Sequence, residues 1–102
     1  MTDQVPEQEG DPLMDAFYMA KGAKLSFLSD LGPMILAASH LDIANDSRSF
    51  ARKFEQAHAL VIREVSSLTD ELKLLESDHK QEKSSKIRYQ LTAAGQALFN
   101  DK

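Results

Sequence analysis

The side chains of this chain that are suited to chemistry are mostly hydrogen-bond donors and cations. Ser47, Arg48, Arg52 and Lys53 cluster together, His58, Arg63, Ser66 and Ser67 follow, and Lys80, Lys83 and Lys86 recur at every third position. Arginine forks and lysine ammonium groups suit phosphate oxygens, and arginine and serine also suit base edges. Contacts of the first kind position a protein on a polyanion, and those of the second kind read its sequence. The bland alternative is a solvated face on which Arg63 pairs with Glu64 or Asp70 and Arg52 with Glu55 or Gln56. Exposed Glu64 and Asp70 would also repel phosphate. Catalytic patterns are missing. Cysteine is absent, and Gly10, Gly22, Gly32 and Gly95 are scattered rather than gathered into a phosphate loop. His40, His58 and His79 stand far apart, with no acid pair tied to them. The sequence therefore indicates no catalytic residue, no cofactor and no metal site, and the expectation for the chain is that it is not an enzyme.

At 102 residues the chain has the length of one domain and can bury one core. Hydrophobic residues make up 42% and charged residues 27%, which is ordinary for a globular domain. No apolar run approaches the roughly 20 residues needed to cross a bilayer. The first residues lack the basic and apolar regions of a signal peptide, so a cytoplasmic location is expected. The net charge of −4 comes from 12 basic and 16 acidic residues. All of the excess lies in residues 1–33, where Lys21 and Lys24 face six acids; residues 34–102 carry ten of each sign. A neutral module can still meet a polyanion if its cations share one face.

The elements that must position these groups are mostly helical. Residues 1–10 have no periodicity and read as a disordered tail. Asp11-Pro12 is a helix start, followed by Leu13, Met14, Phe17 and Tyr18 at helical spacing, a bend near Gly22, and Leu25 and Leu28 beyond. A second helix, capped by Ser29 or Gly32, carries Met34, Ile35, Leu36 and Ala37 to about Leu41. A polar connection covers 41–46. Asp46 or Ser47 caps a short helix with Phe50, Ala51 and Phe54, and a turn at Gln56-Ala57-His58 leads to a longer helix. Its Val61, Val65 and Leu68 form a stripe at i, i+4 and i+7, which would turn Ala59, Arg63, Ser66, Ser67 and Asp70 outward. Residues 72–76 read as a strand and 78–85 as a polar hairpin tip. Ile87, Tyr89 and Leu91 alternate as in a half-buried strand, and Thr92 caps a last helix over 93–100. Two helices joined by a tight turn and followed by a β-hairpin give the expected fold, a mostly α winged helix-turn-helix with an extra N-terminal helix.

The segment SRSFARKFEQAHALVIREVSSL (47–68) resembles the phage regulatory Rha family through Ser47, Arg48, Ala51, His58, Val61, Arg63, Val65 and Leu68. The ending YQLTAAGQALF (89–99) is similar to that family's Tyr-x-Leu-Thr-x-x-Gly close. The same Leu-Thr-x-x-Gly pattern recurs in MarR-like winged-helix repressors, and LSDLGPMILAASHL (28–41) resembles their preceding helix. The chain departs from the pattern in having Gln56-Ala57 where a turn glycine is common, and a wing with lysines but only Arg88 as arginine.

The resemblance implies a DNA-binding regulator of transcription, from a phage or a bacterium, whose helix at about 58–70 enters the major groove of double-stranded DNA. Arg63, Ser66 and Ser67 would contact base edges or phosphates. Ser47, Arg48, Arg52, Lys53, His58, Lys80, Lys83 and Lys86 would hold the backbone. Residues 11–28 form an arm, and residues 29–102 the main domain. Leu13, Phe17, Tyr18 and Leu25 on the arm are the expected homodimer contacts, because a small core cannot cover all of that apolar surface. The competing expectation is a protein-interaction module, an antirepressor or adaptor that does not bind DNA, favoured by the acidic balance and by Glu64 and Asp70 on the reading face.

Overall fold

The computed structural model describes residues 11–77 and 87–100. The expectations for the tail 1–10 and for the segment 78–86, with His79, Lys80, Lys83 and Lys86, lie outside the described residues. The chain is mostly helical with a small two-stranded antiparallel sheet. The order is α1 (Pro12–Gly22), α2 (Leu31–His40), α3 (Ser47–Lys53), α4 (His58–Ser66), a π-helical turn (Ser67–Glu71), β1 (Leu75–Ser77), β2 (Tyr89–Leu91) and α5 (Ala93–Ala97). Among the described residues no helix is long and apolar enough to cross a membrane.

Helix α1 starts as its sequence requires. The Asp11 carboxylate accepts from the Met14 amide at 3.2 Å, and Pro12 occupies the first turn, where its missing N–H costs nothing. Gly22 ends the helix rather than bending it, and Leu25 and Leu28 leave the helical register. Ala16, Phe17 and Ala20 are buried in the same core as α2, so the arm is folded onto the body of the protein. Helix α2 is the centre of that core. Gly32, Pro33, Ile35, Leu36, Ala37 and Ala38 are all buried, and the helix touches α1, α4 and β2. Asp30 stands at its capping position without a side-chain cap bond, and Ser29, one residue earlier, accepts from the Leu31 amide on its Oγ at 3.1 Å. Gly32 lets the Phe27 ring lie close, since a Cβ would stand 2.8 Å from it and force the ring to shift.

Among the described residues four adopt left-handed backbone, and each lies just past a helical segment: Lys24 (φ 60°), Asp42 (62°), Glu55 (55°) and Lys73 (59°). The reversed chain brings Ile43 N–H to Ala38 O at 2.8 Å and Gln56 N–H to Ala51 O at 2.9 Å, which satisfies carbonyls that the helix ends leave open. The turn between α3 and α4 thus has the backbone a glycine would take, with Glu55 in it.

Val61, Val65 and Leu68 are essentially fully buried, as their spacing predicts. The π turn carries the helical segment to Glu71, and the left-handed Lys73 follows, so β1 begins at Leu75 instead of 72. Leu75 pairs with Leu91, Glu76 with Gln90 and Ser77 with Tyr89. The connection at 41–46 does more than link helices: Asp46 bridges Arg88, and the Tyr89 amide donates to Asn45 O at 3.1 Å. Strand β2 is therefore held on both edges.

The Leu-Thr-x-x-Gly ending has a local physical cause. Thr92 Oγ1 accepts from the Gly95 amide at 3.1 Å and donates to Lys73 O at 2.9 Å. Gly95 lies against the Leu74 carbonyl so closely that a Cβ has no room. Helix α5 stops at Ala97, short of the expected Asn100, and the turn after it delivers buried Phe99 to stack on His40, with ring centroids 4.3 Å apart.

Gly95→Ala should lower stability by about 1–3 kcal/mol through overpacking, and Thr92→Ala by about 1 kcal/mol through loss of the cap. Glu55→Gly should do the opposite or nothing. It relieves roughly 1–2 kcal/mol of left-handed strain against roughly 0.5–1 kcal/mol of added backbone entropy in the unfolded chain. Urea unfolding of the three variants measures these differences; a Gly95→Ala variant as stable as the native chain would contradict the close approach of α5 to Leu74.

Candidate nucleic-acid interface

Burial of one side of α4 decides what its other side offers. With Val61, Val65 and Leu68 inward, the exposed positions include Ala59, Leu60, Arg63, Ser66 and, on the π turn, Asp70. Ala59, Arg63, Ser66 and Asp70 follow one another at helical spacing and form one stripe. Most of its members are small or polar, which keeps the helix narrow on that side. Leu60 flanks the stripe with 46% of its surface exposed. The turn into α4 begins at Phe54, next to Arg52 and Lys53 in the last turn of α3, and both of these cations are exposed. Arg48 is exposed one turn earlier.

Several expected contacts are placed elsewhere. Ser47 is fully buried: its Oγ lies 2.9 Å from His58 Nε2 and accepts from the Ile87 amide at 3.0 Å. Its hydroxyl is enclosed and engaged, and has no proton to offer a phosphate. Ser67 is buried too, and its hydroxyl donates to Glu71 Oε1 at 3.3 Å. The expectation for Ser67 came from the helical stripe and that for Ser47 from its place beside Arg48, Arg52 and Lys53; both hydroxyls are turned into the protein instead. His58 is half-buried, with its ring turned to Ser47. Of the expected dimer residues, Phe17 is buried in the chain's own core and Leu13 packs partly against it, whereas Tyr18 and Leu25 remain exposed, by 60% and 38%.

Glu64 gives the largest departure from the sequence reading. It does not sit on the outward stripe but is 96% buried, at position i+3 from Val61 on the inward face. Ser29 donates its hydroxyl to Glu64 Oε2 at 2.7 Å, while Glu64 Oε1 has no hydrogen-bond partner. Burial pushes the carboxyl above its ordinary range, against the opposing effects of the Ser29 hydrogen bond and the charge of Arg63. One of the two acids expected to repel phosphate is thereby removed from the reading face, and Asp70 stays on it. The i+3 spacing from Val61 is the signal within α4 that could have found this burial; the hydroxyl that meets the carboxyl lies 35 residues upstream and leaves no mark on α4.

Of the described histidines, His40 stacks on Phe99 and His58 meets Ser47. Among the described residues no three His, Cys, Asp or Glu side chains gather in a way that could hold a metal ion. The Tyr89 hydroxyl donates to Asp46 O at 3.4 Å, and burial, with the Asp46 charge adding to it, raises the phenol well above its ordinary range. In this site tyrosine is a fixed neutral donor. Compared with known proteins, the chain matches no family model, no curated protein and no solved structure.

Because the carboxyl of Glu64 holds its proton more tightly in the folded chain than in the unfolded one, its contribution to stability is complete below the ordinary glutamate range. It is lost as pH rises through the raised value. Glu64→Gln keeps an acceptor for Ser29 and lacks the titration. Melting temperatures of the two proteins across acidic to neutral pH should diverge, with the variant gaining on the native chain as pH rises; parallel curves would contradict the burial of the carboxyl.

Proposed function

We propose that this chain is a winged helix-turn-helix regulator that binds double-stranded DNA as a homodimer, with α4 in the major groove. The observation that carries this reading is the division of α4 into a buried apolar stripe and an outward stripe of Ala59, Arg63 and Ser66. A groove about 12 Å wide admits a helix whose outward side chains are small or hydrogen-bonding. The turn of four residues, 54–57, and the sheet that follows α4 have the order of the motif. Arg63 reads a guanine edge, with Ser66 beside it, and Arg48, Arg52 and Lys53 hold phosphates. The wing of this reading is the segment between β1 and β2, with Lys80, Lys83 and Lys86 reaching the backbone. The net acidity arises in residues 1–33, and residues 34–102, with ten charges of each sign, are neutral overall. Tyr18 and Leu25, exposed on and after α1, supply apolar surface for the second copy. Each phosphate contact releases counterions, so affinity falls as salt rises.

A second reading has one specific observation behind it. Exposed Leu60 on α4 shares a shallow cleft with exposed Leu28, and an apolar pair of this kind suits a protein partner better than a phosphate backbone. In that case the chain is a docking module that does not bind DNA.

Selection on genomic fragments followed by gel shift at low salt separates the two. DNA binding predicts a retarded complex whose affinity drops by about 1–3 kcal/mol in Arg63→Ala with relaxed sequence preference. Arg52→Ala combined with Lys53→Ala should weaken binding to all sequences and flatten the salt dependence by about one to two contacts. Tyr18→Ser with Leu25→Ser should shift the sedimenting species from dimer to monomer. No retarded complex at low salt, with the folded dimer demonstrated, removes the DNA reading and leaves the protein module.

A further inference from the structure

We infer that His58 is a positioning residue, not a phosphate contact, and that it acts as the neutral tautomer with its proton on Nδ1, taking the Ser47 hydroxyl on Nε2. The inference rests on the DNA reading for its consequence and on the geometry alone for the tautomer. Ser47 Oγ already accepts from the Ile87 amide at 3.0 Å. An amide can only donate, so that lone pair is used. The residue is fully buried, and its hydroxyl proton needs an acceptor. His58 Nε2, 2.9 Å away, is the acceptor at hand. A nitrogen that accepts carries no proton, which places the ring's proton on Nδ1.

Three elements meet at this hydroxyl. Ser47 is the first residue of α3, His58 the first of α4, and Ile87 precedes β2. Backbone bonds close the same junction: Ser47 N–H donates to Ile87 O at 2.9 Å and Tyr89 N–H to Asn45 O at 3.1 Å. Helix α4 has no side-chain cap of its own, since Ala57 occupies the capping position. The first turn of α4 is thus oriented through the His58 ring against α3 and against the strand that returns from the segment between β1 and β2. A side chain spent on this bond sets the angle of the reading helix relative to the wing base and does not touch the polyanion itself.

The test uses the full chain. A long-range proton–nitrogen correlation spectrum of the native protein near neutral pH should show His58 with protonated Nδ1 and bare Nε2, and slow exchange of the Ile87 amide. A protonated Nε2 in the neutral ring, or an Ile87 amide exchanging as freely as an open one, overturns the assignment. In DNA titrations at several salt concentrations, His58→Ala should bind all sequences about tenfold more weakly, the scale of one lost buried hydrogen bond. Its salt slope should be unchanged. His58→Gln, whose amide oxygen reaches the Nε2 position, should restore affinity to within about threefold. A salt slope reduced by about one contact in His58→Ala shows a direct phosphate contact and overturns the proposal, as does a glutamine variant no better than alanine. If the native chain binds no DNA, the proposed function fails separately, and the tautomer and the Ile87 exchange decide whether His58 holds the junction.

Discussion

The burial of Val61, Val65 and Leu68 against the core built on α2 is the constraint on which the candidate interface depends. It sets the rotation of α4 about its own axis, and that rotation decides which side chains meet solvent. Each buried aliphatic side chain contributes roughly 1.5–3 kcal/mol, far more than an exposed ion pair on the opposite side could return, at roughly 0–1 kcal/mol. The apolar stripe therefore dictates the polar one. Arg63 and Ser66 face outward because their positions are what remains once the stripe is satisfied.

The same rotation explains the cost the structure accepts at Glu64. Position i+3 from Val61 lies on the buried face whatever residue occupies it. A carboxyl there has to be desolvated, and a single hydroxyl from Ser29 offsets only part of that. The link has a structural consequence: it ties α4 to the start of α2, where Ser29 also accepts from the Leu31 amide. One side chain thereby links the start of the central helix to the seating of α4.

A second junction, at residues 45–47 and 87–89, joins the sheet to the helices. A three-residue strand pair is too short to be stable alone. Here β2 is also held by the connection before α3, through the Asp46–Arg88 bridge and the Tyr89 amide. Buried Tyr89 anchors it from the inner face, with its hydroxyl on Asp46 O. The small sheet is thus an extension of the helical core, and its orientation is coupled to the first turn of α3.

Much of the local structure was legible from residue types alone. Period-3.6 apolar spacing and the caps Asp11, Asp46 and Thr92 located the helices, because a helix start needs an oxygen for its free amides. Alternation at Ile87, Tyr89 and Leu91 located β2. Helix ends were less legible, since Lys24, Asp42, Glu55 and Lys73 take the left-handed conformation that a glycine would have announced. Tertiary structure alone decided the roles of the polar residues. Ser47 and Glu64 look like surface groups by residue type, and the partners that meet them once buried, His58 and Ile87 for Ser47 and Ser29 for Glu64, come from other elements. Phe17 belongs to the chain's own core for the same reason. Periodicity is a property of neighbouring residues and can be read along a chain, whereas the partner that allows a polar group to be buried comes from a distant segment and exists only after folding.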